Sequence, residues 1–169
     1  MPAENYPYKA VGGECQYDAE KGLIAASGFT LLDEGHPYLM QAALELGPLS
    51  VALDASSNVF RFYKEGVFDH GDMCGSDLNH AVAIVGYSNE AYDGKPYWVM
   101  RNSWGDTWGL DGYMHIAISD GIGNCGINLE VAIPNIYYMS VFNSEALLAL
   151  ACFGALLSTW PIYKLTCCQ

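Results

Sequence analysis

The chain has 169 residues, 51% of them hydrophobic and 15% charged, which suits one compact domain with a sizeable core and excludes intrinsic disorder. Nineteen acidic against seven basic residues leave a net charge of -12, so the average field repels phosphate backbones and anionic membranes, and nucleic acid is set aside as a partner. Six cysteines, at positions 15, 74, 125, 152, 167 and 168, are too scattered for a disulfide miniprotein and form no CxxC pair of the zinc-finger kind.

Met1-Pro2-Ala3-Glu4-Asn5-Tyr6 has neither the basic start nor the apolar stretch of a secretory signal, and the N-terminus reads as truncated. From Glu4 to Gly28 the chain is rich in Gly, Tyr and Pro without a sustained period, which predicts loops and turns around short extended pieces. Asp33 or Glu34 then offers a cap for a helix beginning near Pro37. Leu39, Met40, Ala43 and Leu46 fall on one side of it, and Gly47-Pro48 stops it.

Four runs rich in Val, Ile and aromatics follow, separated by turn residues: Leu49 to Leu53, His80 to Tyr87, Tyr97 to Asn102 and Tyr113 to Ile118. They predict a β-rich domain. Val59-Phe60-Arg61-Phe62-Tyr63 before Gly66 reads equally as a helical turn or an aromatic loop. Beyond Ile136 the character changes, with eighteen uncharged residues between Glu145 and Lys164. That run is short for a bilayer, which usually takes about 20 apolar residues, and Pro161 with Ser158-Thr159 weakens it further. A helix packed on the domain or a tail translated from non-coding sequence are the other readings.

The most specific pattern is Asn102-Ser103-Trp104-Gly105-Asp106-Thr107-Trp108-Gly109, followed by Asp111-Gly112-Tyr113. Together with Leu78-Asn79-His80-Ala81-Val82 and Asn124-Cys125-Gly126-Ile127, it resembles the papain and cathepsin family of cysteine proteases. Glu4-Asn5-Tyr6-Pro7-Tyr8, Gly47-Pro48-Leu49-Ser50-Val51-Ala52 and Phe62-Tyr63-Lys64-Glu65-Gly66 extend the likeness over residues 4 to 134 in the right order. The resemblance implies an α+β fold, mainly the β-barrel right-hand domain of that family with one well-defined helix. Residues 1–28 would be a remnant of the left-hand domain, 29–135 the barrel domain, and 136–169 an extra apolar tail.

It also implies the chemistry. A thiol near its ordinary pKa of about 8.5 is mostly protonated at neutral or acid pH, so attack on a peptide carbonyl needs an imidazolium beside it. His80 matches the family's histidine, and Asn102 the asparagine whose amide oxygen fixes the ring in one orientation and tautomer. Trp104 matches the indole that shields their hydrogen bond from water, and Trp108 packs nearby in the family. Cys74 and Cys125 match a family disulfide. A metal reading through Cys74, His80 and Cys125 would consume the histidine and lacks zinc ligand spacing, so no metal or organic cofactor is implied.

The family's nucleophile lies in a C-G-S-C-W-type segment roughly 130 residues before the histidine, which here falls upstream of Met1. Cys15 lies in the wrong context and resembles half of a disulfide with an upstream partner. The glutamine of the oxyanion hole is missing for the same reason, so the isolated chain is expected to be close to inactive.

The main specificity pocket of the family maps its walls onto Ala52, Leu78 and Ala81, with Glu130 at the far end and Asn79 where many relatives have aspartate. Glu130 either pairs with a substrate arginine inside the pocket or points to solvent. The implied partners are peptide or protein substrates and propeptide-type or cystatin-like inhibitors. The implied location is lysosomal or extracellular. The alternative is a noncatalytic fragment that binds peptides or inhibitors through its open cleft face.

Overall fold

The computed structural model describes residues 1–90 and 94–138, with the side chains of Tyr137 and Tyr138 outside that description. The apolar run expected between Glu145 and Lys164 lies outside the described residues. Two compact units are present, Gly28–Asn135 and a second that includes Met1–Ser27.

Among the described residues, seven strands form one sheet: β1 (Ile24–Leu31), β2 (Leu49–Leu53), β3 (Val67–Phe68), β4 (His80–Ser88), β5 (Tyr97–Arg101), β6 (Tyr113–Ala117) and β7 (Val131–Tyr138). Their order is β1-β7-β2-β4-β5-β6-β3. Two helices accompany them, α1 (Pro37–Leu44) and the single turn α2 (Asn58–Arg61). This is a mixed α+β architecture, the class that the motifs imply.

The sheet forms where apolar residues alternate, because successive side chains point to opposite faces. In β2, Leu49, Val51 and Leu53 are buried while Ser50 is exposed. Antiparallel pairing sets Leu49 opposite Ile84 and Val51 opposite Val82, then Ile84 opposite Met100 and Met100 opposite Met114. That row, with Trp98, Ile116 and Phe60, is almost fully shielded from water, each side chain contributing about 1.5–3 kcal/mol of transfer free energy. A one-residue irregularity between Ile84 and Gly86 leaves Val85 exposed and carries the pairing on to Gly86 opposite Val99.

Several local expectations need correction. Helix α1 has His36 at its N-cap position with no side-chain cap bond, so neither Asp33 nor Glu34 caps it. The helix ends at Leu44, and Leu46 is 79% exposed rather than on the buried side with Met40 and Ala43. The run Val59 to Tyr63, readable as a helical turn or an aromatic loop, is helical up to Arg61 as part of α2. Within 4–28, β1 begins at Ile24, and near the C-terminal end β7 runs to Tyr138.

In the smaller unit, Asp18 Oδ1 accepts the Glu20 amide at 3.0 Å and caps a 3-10 turn at Ala19–Lys21.

Candidate active site

The β4–β5 pairing decides where His80 and Asn102 meet. Ala83 stands opposite Arg101, and antiparallel strands place the start of β4 beside the end of β5. Continuing that register would put Asn102 level with Val82, which shares a strand face with His80. Asn102 leaves the ladder with its amide bonded to Gly112 O at 3.0 Å. Gly112 has φ +85°, and an added Cβ there would lie 3.0 Å from Gly105 O, so this turn requires glycine.

His80 Nε2 and Asn102 Oδ1 are 2.9 Å apart. The same oxygen accepts the Ser103 amide at 2.7 Å, which identifies it as the carbonyl oxygen and makes Nε2 of His80 the protonated nitrogen. Nδ1 is thereby left as the ring position able to exchange a proton with a reacting group. Asn102 is 4% exposed, so the bond sits in a poorly solvated setting where it is strengthened.

An aromatic assembly backs the pair. Trp104 stacks on the His80 ring at 4.9 Å with the planes 30° apart. Trp108 meets Trp104 edge-on at 5.4 Å and donates Nε1–H to Arg61 O at 3.0 Å. Phe60, which the motifs did not single out, is wholly buried and lies 5.7 Å from Trp104, 5.8 Å from Trp108 and 6.0 Å from Phe68. Its only signal in the sequence was membership of an aromatic run.

Ala52 is the register partner of Ala81, and its amide donates to Glu130 O at 3.1 Å, so Ala52 lies between the other two. Leu78 packs close to Gly126, where an added Cβ would lie 3.2 Å from Leu78 Cδ2. The side chain of Glu130 is exposed. Asn79 donates Nδ2–H to Asp54 Oδ1 at 2.9 Å and accepts the Ala55 amide at 3.0 Å. Asp54 is a second residue without a motif behind it. Bonds from the Ser56 hydroxyl first, then the Ser56 amide and Asn79, hold its carboxyl down to about 2.

A disulfide joins Cys74 to Cys125, as the resemblance implied, and links the segment before His80 to the turn before Glu130. Both segments therefore reach the site under one covalent constraint.

The fold and the paired histidine and asparagine are those of a papain-like domain, and the family follows from its relatives. Residues 1–135 match the model of the papain family of cysteine proteases, and the chain belongs to that family. It is similar to cathepsin J of Rattus norvegicus, 40% identical over 134 residues, which span 78% of this chain and 40% of the relative. Cathepsin L2 of Homo sapiens is 40% identical over 136 residues, again covering 40% of that protein. Among solved structures, bromelain protease from Ananas comosus in complex with the E64 inhibitor superposes with a TM-score of 0.70 at 36% identity. That match covers 79% of this chain and 61% of the bromelain chain.

Proposed function

We propose that this chain is the histidine–asparagine part of a cysteine-type endopeptidase, hydrolysing peptide bonds once a thiol is brought to His80. The observation that carries the reading is the 2.9 Å bond from His80 to Asn102 under the Trp104 ring. With Nε2–H committed to Asn102, Nδ1 takes the thiol proton, giving the thiolate that attacks the peptide carbonyl. Nδ1–H then protonates the leaving amine, and the neutral ring activates the water that releases the acyl group from sulfur.

The 169 residues contain no C-G-S-C-W-type segment. The isolated chain is therefore expected to be several orders of magnitude below a complete enzyme, because nucleophile and base act as a unit. In the complete site, Ala52, Leu78 and Ala81 form apolar walls, and Glu130 at the far end accepts arginine while the walls hold leucine or phenylalanine. Asn79 borders the same region. A propeptide-type or cystatin-like inhibitor occupies the same cleft, and the Cys74–Cys125 bridge fits an oxidising lysosomal or extracellular setting.

The test is reaction with a thiol-directed epoxide and Phe-Arg and Arg-Arg reporter peptides. Each is run on the chain alone and on the chain mixed with a polypeptide carrying a C-G-S-C-W segment and the oxyanion glutamine. Labelling and turnover should occur in the mixture only, and His80→Ala should abolish turnover. No turnover of the Arg-Arg reporter by an active mixture removes the role given to Glu130. Tight inhibitor binding by the chain, with no labelling in either case, favours the noncatalytic peptide- or inhibitor-binding reading instead.

A further inference from the structure

Beside the His80–Asn102 pair lies a polar cluster with no part in the chemistry above. Asp54 is the first residue after β2 and only 4% exposed, a rare place for a carboxylate. Its Oδ1 accepts the Ser56 amide at 2.9 Å, the Ser56 hydroxyl at 2.5 Å and Asn79 Nδ2 at 2.9 Å. Its other oxygen faces the chain at Gly75, where an added Cβ would lie 2.7 Å away. The Asp54 amide donates to Cys125 O at 2.8 Å.

Asn79 is held at both ends. Its side-chain oxygen takes the Ala55 amide at 3.0 Å, and its own amide donates to Leu53 O at 3.1 Å. One acidic residue thus ties together the end of β2, the segment leading to β4 and the turn at Cys125. The next residue after Asn79 is His80.

We propose that Asp54 is a positioning residue for His80, acting through Asn79 to fix where the chain enters β4 and hence where the imidazole meets Asn102. The inference rests on the protease reading for its purpose, but its geometry lies wholly within this chain. A carboxylate suits the task because it only accepts, and it meets converging N–H and O–H donors without presenting one of its own. Its low pKa, set chiefly by Ser56 and then by Asn79, keeps it ionised through the mildly acid range. An isosteric asparagine loses the charge that strengthens these bonds, and its N–H₂ group would face either those donors or the Asp77 amide, which also donates to the carboxylate.

The experiment compares the full chain with Asp54→Asn, Asn79→Ala and the double variant carrying both changes. Nitrogen-15 NMR of the histidine rings reads the Nε2–H tautomer of His80, with His36 and His70 as internal references, and urea unfolding runs beside it. Each single variant should lower the ratio of Nε2–H to Nδ1–H tautomer at His80 by about three- to tenfold, the equilibrium value of one net hydrogen bond. The double variant should lower it no further than the more affected single, because both changes act through one link, while His36 and His70 stay unchanged.

A folded Asp54→Asn chain with wild-type His80 signals overturns the proposal, as does a double variant whose loss is the sum of the two singles. If Asp54→Asn does not fold, Asn79→Ala decides, since it removes the link and the Ala55 bond while leaving Asp54 and its Ser56 donors in place. The expected tautomer shifts in a chain that never supports peptide cleavage would leave this inference standing and remove the protease reading.

Discussion

Replacing Phe60 by alanine should damage the stability of the larger unit and the wall behind its imidazole together. The ring is 0% exposed and touches Phe68, Trp104 and Trp108 at centroid distances of 6.0, 5.7 and 5.8 Å. Emptying such a site costs the transfer of the lost atoms plus the cavity left behind, about 3–5 kcal/mol for Phe→Ala. A unit of about 100 residues has about 5–15 kcal/mol in total, so a fifth or more would be lost. Phe60→Leu keeps most of the volume and should cost about 1–1.5 kcal/mol for shape. The forfeited ring contacts add about 0.5–1.5 kcal/mol per pair. Urea unfolding followed by tryptophan fluorescence measures both variants, and acrylamide quenching of the native state reports whether Trp104 has come loose from His80. A loss below about 1 kcal/mol in Phe60→Ala, with quenching unchanged, would refute the claim that this ring supports the site.

Opening the Cys74–Cys125 bridge by a double change to alanine releases a constraint across a sequence separation of 51 residues. Chain entropy for a loop of that size gives about 4 kcal/mol of destabilisation, read as a fall in the urea midpoint that added reductant does not deepen. A midpoint equal to that of the oxidised parent would show that the loop stays closed without it. His115 supplies the pH-dependent case. Burial lowers its pKa, and its ring stacks on Tyr97 at 4.3 Å. The unfolded chain then binds that proton more readily than the folded one, so stability is full above about 6.5 and declines as pH falls below it. His115→Phe should flatten the change in urea midpoint between about pH 7 and pH 5, and an unchanged slope assigns the acid sensitivity to other groups.

The parts of the fold that were legible in the sequence are those where local pattern and tertiary need agree. Strands β2, β4, β5 and β6 alternate or run apolar between turn residues, and their ends fall within a residue of expectation. Strand β7 carries Pro134, which argues against an internal strand. Its pairing with β2 involves Val131 and Ala132, ahead of the proline. Strand β1, Ile24–Leu31, contains small residues and Gly28 and is mostly exposed, so no buried face marks it in the sequence. In α1 the apolar spacing continues to Leu46, but the helix stops at Leu44 and the spacing outlasts the backbone.

Within the site, His80, Asn102 and the two tryptophans were legible because the chemistry restricts residue type and the intervening glycines fix their spacing. Phe60 and Asp54 were not. Phenylalanine in an aromatic run and aspartate after a strand have many roles, and only the contacts to Trp104 and Asn79 give these two a specific one.

The placement of polar groups around His80 separates two tasks that one residue would perform badly. A carboxylate bonded directly to the imidazole would orient it but would also hold positive charge on the ring whatever group meets Nδ1. Asn102 orients the ring through a neutral oxygen, so the ring's charge depends more closely on the group that meets Nδ1. The cost is visible at the same residue, whose Nδ2 is buried with no partner among the described residues. The full negative charge stands instead on Asp54, where converging donors compensate its burial and Asn79 separates it from His80. Orientation and fixed charge are thus assigned to different side chains, and the segment between them, Gly75 to Asn79, is the one held by the Cys74–Cys125 bridge.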